Sequence, residues 1–208
     1  MTQGSEATNA RILIIDDERG TRDYIKDGLV LAGYQCATAE SASEATTILG
    51  QSGFELVLLD INMPVRTGIE YLPELLSEHP DMAVVILTGD ADLQTAIGAM
   101  RQGAYDYLSK PVGLAELTVR VENTLSKRAL VIENKMYEQR QEELVDELSI
   151  LLANRKREVE SLIELFQSQV FQKNADSQEY ESLKGSLTEF TSRLEKLATG
   201  VKKSSKNS

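Results

Sequence analysis

Ile12-Leu-Ile-Ile-Asp16-Asp17 and Leu56-Val-Leu-Leu-Asp60-Ile-Asn-Met-Pro64 share one layout, a continuous apolar run that stops on an acidic residue. A strand apolar at every position buries both faces, as in parallel sheets covered by helices, whereas a half-solvated strand alternates. Ala83-Val-Val-Ile-Leu87 before Thr88 is a third run of this kind, and Tyr34-Gln-Cys-Ala37 and Tyr105-Asp-Tyr-Leu108 are weaker candidates. Between the runs, helical spacing predicts helices over Glu18–Leu31, Ser43–Leu49, Gly68–Ser77 and Asp92–Gln102, with a capping box of Ser41 and Glu44 ahead of the second. Five such units from Arg11 to Leu125 predict an α/β domain with a doubly wound, five-stranded parallel sheet.

Composition sets the surroundings of that domain. The 208 residues carry 22 Lys+Arg and 33 Asp+Glu, a formal charge of -11, which suits one domain with an appendage or two small domains. Up to Leu125 there are 8 basic and 19 acidic residues, and beyond it 14 of each. An acidic front and a neutral back offer no basic footprint, so direct nucleic-acid binding is excluded as an expectation. Cys36 is the only cysteine, no apolar run approaches the roughly 18 residues of a membrane span, and Met1 to Ala10 lacks the features of a signal peptide. The expectation is a cytoplasmic protein with no membrane association. His79, beside Pro80, reads as a surface residue at a helix end, and Cys36 as a small core residue.

Ligands of doubly wound folds bind at the carboxyl ends of the strands. Asp16, Asp17, Asp60, Thr88 and Lys110 all fall there. Three clustered carboxylates repel one another unless a cation sits among them, and oxygen-only donors favour a hard ion, so the cluster predicts Mg²⁺. Lys110 adds a point charge and Thr88 a hydroxyl, which is equipment for stabilising a phosphoryl group transferred to a carboxylate nucleophile.

With those motifs in place, Ile-Ile-Asp16-Asp17-Glu, Leu-Leu-Asp60-Ile-Asn62-Met-Pro64 with Gly68, Ile-Leu-Thr88-Gly89 and Tyr107-Leu-Ser-Lys110-Pro111, the segment 11–125 resembles the receiver domain of two-component response regulators, the CheY-like superfamily. The resemblance implies a flavodoxin-like fold with Asp60 as phosphoacceptor. It implies direct Mg²⁺ ligation by Asp17, Asp60 and the backbone carbonyl of Asn62, with Asp16 acting through water. Thr88 and Lys110 would contact the phosphoryl oxygens, and Thr88 and Tyr107 would form the switch. Asn62 and Asp90 occupy positions that influence hydrolysis in that family, and their polarity predicts a phosphoryl group lost well within hours. The donor would be a sensor histidine kinase or a phosphotransfer protein, and the only catalysis would be self-phosphorylation and self-dephosphorylation at Asp60.

Beyond the receiver segment, 126–172 contains neither proline nor glycine and reads as a long helix or coiled coil. One heptad position holds Leu130, Tyr137, Leu144, Leu151, Glu158, Leu165 and Gln172, the other Lys127, Asn134, Gln141, Leu148, Arg155, Leu162 and Gln169. Half of these are polar, which makes a weak seam. A second amphipathic helix is expected over 178–198, with Tyr180, Leu183, Leu187, Phe190, Leu194 and Leu197 on one stripe, and 1–10 and 199–208 read as disordered. These helices predict a homodimer and an unidentified protein effector. Arg128 to Asn134, with Tyr137 and Glu142-Glu-Leu-Val145, also resembles the linker of HD-GYP response regulators, but no histidine follows His79 to supply that domain's metal ligands. The competing readings are an Asp-nucleophile phosphatase, disfavoured because Asn62 stands where an acid/base Asp is needed, and a scaffold coiled coil with a non-switching receiver.

Overall fold

The computed structural model describes residues 10–89, 93–171, 181–182, 185–186, 188–193 and 196. The expected disorder at 1–10 falls outside them except for Ala10, as do that at 199–208 and the position of Asp90. By internal contact the chain divides into two units, Met1–Glu133 and Asn134–Ser208.

The first unit alternates strand and helix: β1 Arg11–Ile15, α1 Arg19–Leu31, β2 Gln35–Ala39, α2 Ala42–Leu49, β3 Leu56–Asp60, α3 Gly68–Glu78, β4 Ala83–Thr88, α4 Leu93–Gln102, β5 Asp106–Ser109 and the start of α5, Leu114–Phe171. The sheet is all parallel, in the order β2-β1-β3-β4-β5. Order reverses between β1 and β3, so the crevice at their carboxyl ends is the switch point of the fold.

The continuous apolar runs have the cause the sequence suggested, because successive residues of one strand serve two cores. Leu13, Ile15, Val57, Leu59, Val84 and Ile86 pack under α2, α3 and α4, while their neighbours Ile12, Ile14, Leu56, Leu58, Val85 and Leu87 pack under α1 and α5. On α5, Leu117, Val121 and Thr124 are buried, and Arg120 pairs with Asp106 on β5 at 3.0 Å.

The edge strands differ from their predicted limits. β2 starts at Gln35 and continues to Ala39, while Tyr34 is a buried loop residue whose amide bonds to the Leu29 carbonyl as the chain leaves α1. β5 is likewise displaced by one residue, to Asp106–Ser109. The capping box on α2 is also corrected. Ser41 accepts from the Glu44 amide, but the Glu44 carboxylate accepts from the Glu40 amide rather than from that of Ser41. A complete capping box instead opens α3, where Thr67 and Glu70 bond reciprocally.

In the second unit α5 continues to Phe171, and the described residues 188–193 form a short helix. Of the stripe predicted within 178–198 only Phe190 is described, and it is half exposed. Among the described residues of α5 beyond Glu133, the half-buried ones are Val145, Ser149, Leu152, Lys156, Val159 and Ile163, and the Ser149 hydroxyl oxygen is out of reach of solvent. That face lies beside the predicted heptad seam, whose leucines are exposed. No described helix is long and apolar enough to cross a membrane.

Candidate functional site

Each strand delivers one part of the site at its carboxyl end. Asp16 and Asp17 follow β1, Asp60 closes β3, Thr88 closes β4 and Lys110 follows β5. Register makes this convergence unavoidable: Asp60 lies opposite Leu87 and Thr88 opposite Ser109, so the ends of β3, β4 and β5 are level. Asp16 and Asp60 are buried, as is Thr88, while Asp17 is exposed at the rim. One carboxylate oxygen from each of Asp16, Asp17 and Asp60 lies within 4.8 Å of the others.

Lys110 bridges the two buried acids, its Nζ 2.7 Å from Asp16 Oδ2 and 2.9 Å from Asp60 Oδ1. Burial pushes the Asp60 carboxyl above its ordinary value. Lys110 and the Asn62 amide, which donates to it, pull it back, the charge of Asp16 adds to the rise, and the net shift is upward. Burial alone would lower the Lys110 ammonium, but hydrogen bonding and charge from Asp16 and Asp60 outweigh it, and Lys110 is raised. One lysine therefore faces two carboxylates in a buried crevice, which leaves uncompensated negative charge.

The loop geometry around the acids is tightly specified. Asp16 Oδ1 accepts from the Glu18 amide at 2.8 Å, holding the β1–α1 turn. Gly68 sits against the backbone of β3: its amide bonds to the Ile61 carbonyl at 2.9 Å, and a Cβ there would meet the Asp60 carbonyl oxygen at 2.1 Å. Between them Val65 adopts φ 69° and projects fully into solvent, a left-handed conformation that is strained for a β-branched residue. Thr88 Oγ1 donates to the Gly89 carbonyl at 3.1 Å. Tyr107 is half-buried and packs against the core under α2, α3 and α4. Asn62 is exposed beside Asp60.

The donor set fits magnesium. Asp16 Oδ2 is buried and, apart from the Lys110 ion pair, has no hydrogen-bond partner, and oxygen-only ligands of this charge match a hard divalent cation. The acidic cluster can therefore bind Mg²⁺.

One member of the site escaped the sequence reading. Arg22 donates to the Asp16 carbonyl and lies 3.9 Å from Glu40, its side chain only 12% exposed. It stands on the stripe Arg22, Ile25, Leu29 that α1 turns inward, and a charge at such spacing was the available signal. Cys36 is half-buried and burial pushes its thiol up to about 11, and His79 caps the end of α3.

The response regulator receiver domain family matches residues 12–122. The chain belongs to that family. The receiver is 37% identical over 125 residues to the C4-dicarboxylate transport transcriptional regulatory protein DctD of Pseudomonas aeruginosa, and 34% identical over 115 residues to the DNA-binding transcriptional regulator NtrC of Salmonella typhimurium. These matches cover 60% and 55% of this chain but only 27% and 24% of those regulators, so the chain spans about a quarter of the length of each. Among solved structures it resembles a receiver domain protein of Clostridium thermocellum, with 38% identity and TM-score 0.56 over 59% of this chain and 98% of that one. The receiver domain of NtrX from Brucella abortus is similar at 33% identity and TM-score 0.54, covering 55% and 98%.

Proposed function

We propose that the receiver is a phosphorylation switch of a two-component system, with Asp60 as its phosphoacceptor and the helical segment as its output. The observation that carries this is the placing of Asp60 between a cation, Lys110, and two further carboxylates at the switch point of the sheet. Asp17, Asp60 and the Asn62 carbonyl would hold Mg²⁺, with Asp16 acting through water. When bound, the ion neutralises charge on the transferred group.

An Asp60 carboxylate oxygen attacks the phosphorus of a phosphohistidine on a sensor kinase or phosphotransfer protein. The P–O bond forms as the P–N bond breaks, and the imidazole leaves with the electron pair and takes up a proton. Lys110 then contacts a phosphoryl oxygen. The Thr88 hydroxyl exchanges the Gly89 carbonyl for another, and Tyr107 responds to the space Thr88 vacates. Phosphorylation adds charge and acceptor oxygens at one point, and this packing element reads them out. The readout passes to α5, which forms a homodimer and engages a protein effector.

Intact-mass measurement after incubation with Mg²⁺ and a small-molecule phosphodonor tests the assignment. Wild type gains one phosphoryl group and Asp60→Asn gains none; a wild type that stays unmodified, or an Asp60→Asn variant modified to the same extent, overturns it. Light scattering with Mg²⁺ and beryllofluoride, which imitates the aspartyl-phosphate, then reads whether mass or shape follows Asp60.

A further inference from the structure

The exposed stripe of α5 reads the same in both directions. Leu148, Leu151, Arg155, Glu158, Leu162 and Leu165 follow one another at spacings of 3, 4, 3, 4 and 3, two leucines on each side of one charged pair. The four leucines are between 44% and 65% exposed, and Arg155 bonds Glu158 at 2.6 Å on the surface. An apolar stripe of this length on a helix needs a cover.

We infer that this stripe is covered by the same stripe of a second copy of the chain, running antiparallel, with the two-fold axis midway between Arg155 and Glu158. The inference rests on the dimerisation proposed above and settles its direction. In an antiparallel pair of helices each heptad core position faces the other kind. Leu148 then meets Leu165 of the second copy, Leu151 meets Leu162, and Arg155 meets Glu158, so each of these layers is either apolar on both sides or oppositely charged, and the matched stripe ends where Leu144 would meet Gln169. A parallel, in-register pair stacks each residue on itself. That places Arg155 on Arg155 and Glu158 on Glu158 in adjacent layers, two like-charge contacts at the least solvated part of the interface. Charge complementarity and the palindrome both select the antiparallel second copy.

Cysteine cross-linking of the full chain in a Cys36→Ser background tests this. Leu151→Cys and Leu162→Cys change exposed positions, and circular dichroism checks that helicity is kept. The expected result is a disulfide-linked dimer only when the two variants are mixed, with neither forming one alone. Self-linking of Leu151→Cys, with no gain on mixing, would show a parallel pair and overturn the proposal. A monomeric mass by light scattering, or a dimer that forms no link in the mixture, overturns it as well. Phosphoryl uptake by Asp60, measured on the same variants, reports separately on the receiver, so a failed coil and a failed switch are distinguishable.

Discussion

The receiver and the long helix each hold a short ion pair, and the shorter of the two is the weaker. Lys110 lies 2.7 Å from Asp16 and 2.9 Å from Asp60, whose side chains are 0% and 3% exposed, whereas Arg155 reaches Glu158 at 2.6 Å with side chains 72% and 60% exposed. Distance sets the Coulomb energy only after the medium is fixed, and the medium differs between the two sites. A buried pair is also not a store of stability in itself. Its members were costly to desolvate, and what it secures is that neither is left alone. The receiver thus holds two buried acids against one lysine in a crevice, while the helix carries a pair that binds little until something covers it.

The comparison is broken most sharply by removing the lysine. Lys110→Met leaves two buried carboxylates with no cation between them, and loss of one partner of a buried pair costs about 3–5 kcal/mol. Urea unfolding without divalent ions should show that loss. Adding Mg²⁺ should restore part of it, and Asp60→Asn in the same chain should restore part of it without metal. A Lys110→Met receiver as stable as wild type would mean that solvent reaches the crevice. Gly68→Ala comes next, because its Cβ would meet the Asp60 carbonyl backbone at 2.1 Å and no side chain can give way. A forced shift of packed backbone costs about 1–3 kcal/mol, and the same shift should slow phosphoryl uptake, since it moves the residue that carries the nucleophile.

Acidity provides a finer contrast. Asp60 titrates above its unfolded value, so its protonated form is the one folding favours. Its contribution is therefore fully present below the unfolded pKa and is lost as pH rises through the raised folded one. The stability difference between wild type and Asp60→Asn should move against wild type across that window in metal-free buffer. Mg²⁺ affinity should run the other way. It falls as pH drops through the raised Asp60 value, by up to about tenfold per unit for one competing proton. A flat metal affinity through the acid range would show that Asp60 is not a ligand.

The two units were also unequally legible. Asp16, Asp60 and Thr88 each follow a continuous apolar run and Lys110 lies two residues past the weaker run over 105–108, and a parallel sheet aligns strand ends whatever the loops do, so all four could be brought together from sequence. Arg22 could not, because its contact with Asp16 depends on how α1 docks on the sheet, and neither could the strained Val65, whose φ follows from loop closure between Asp60 and Gly68. The Ser41 and Glu44 pattern predicts a capping box that does not close, while Thr67 and Glu70 form one, because local geometry decides which carboxylate turns back on its own cap. On the helix a heptad count picks out a stripe whose leucines are exposed and misses the half-buried face beside it, since periodicity places residues on faces without saying which face is covered.

The smallest effect belongs to the exposed pair. For an isolated helix, Glu158→Gln removes one pair three residues apart, worth about 0.2–0.5 kcal/mol. Raising ionic strength from 0.15 M to 1 M shortens the screening length from about 8 Å to about 3 Å and should erase most of that. Measured at a dilution where only monomer is present, the substitution should leave the receiver's unfolding curve in place and barely change helicity. At concentrations where the chains associate, the same substitution removes the partner of Arg155 across the two-fold axis twice per dimer, and its effect on dissociation should exceed its effect on the monomer. Equal effects in both regimes would place Glu158 outside the interface, and the difference between the two ion pairs would then reduce to exposure alone.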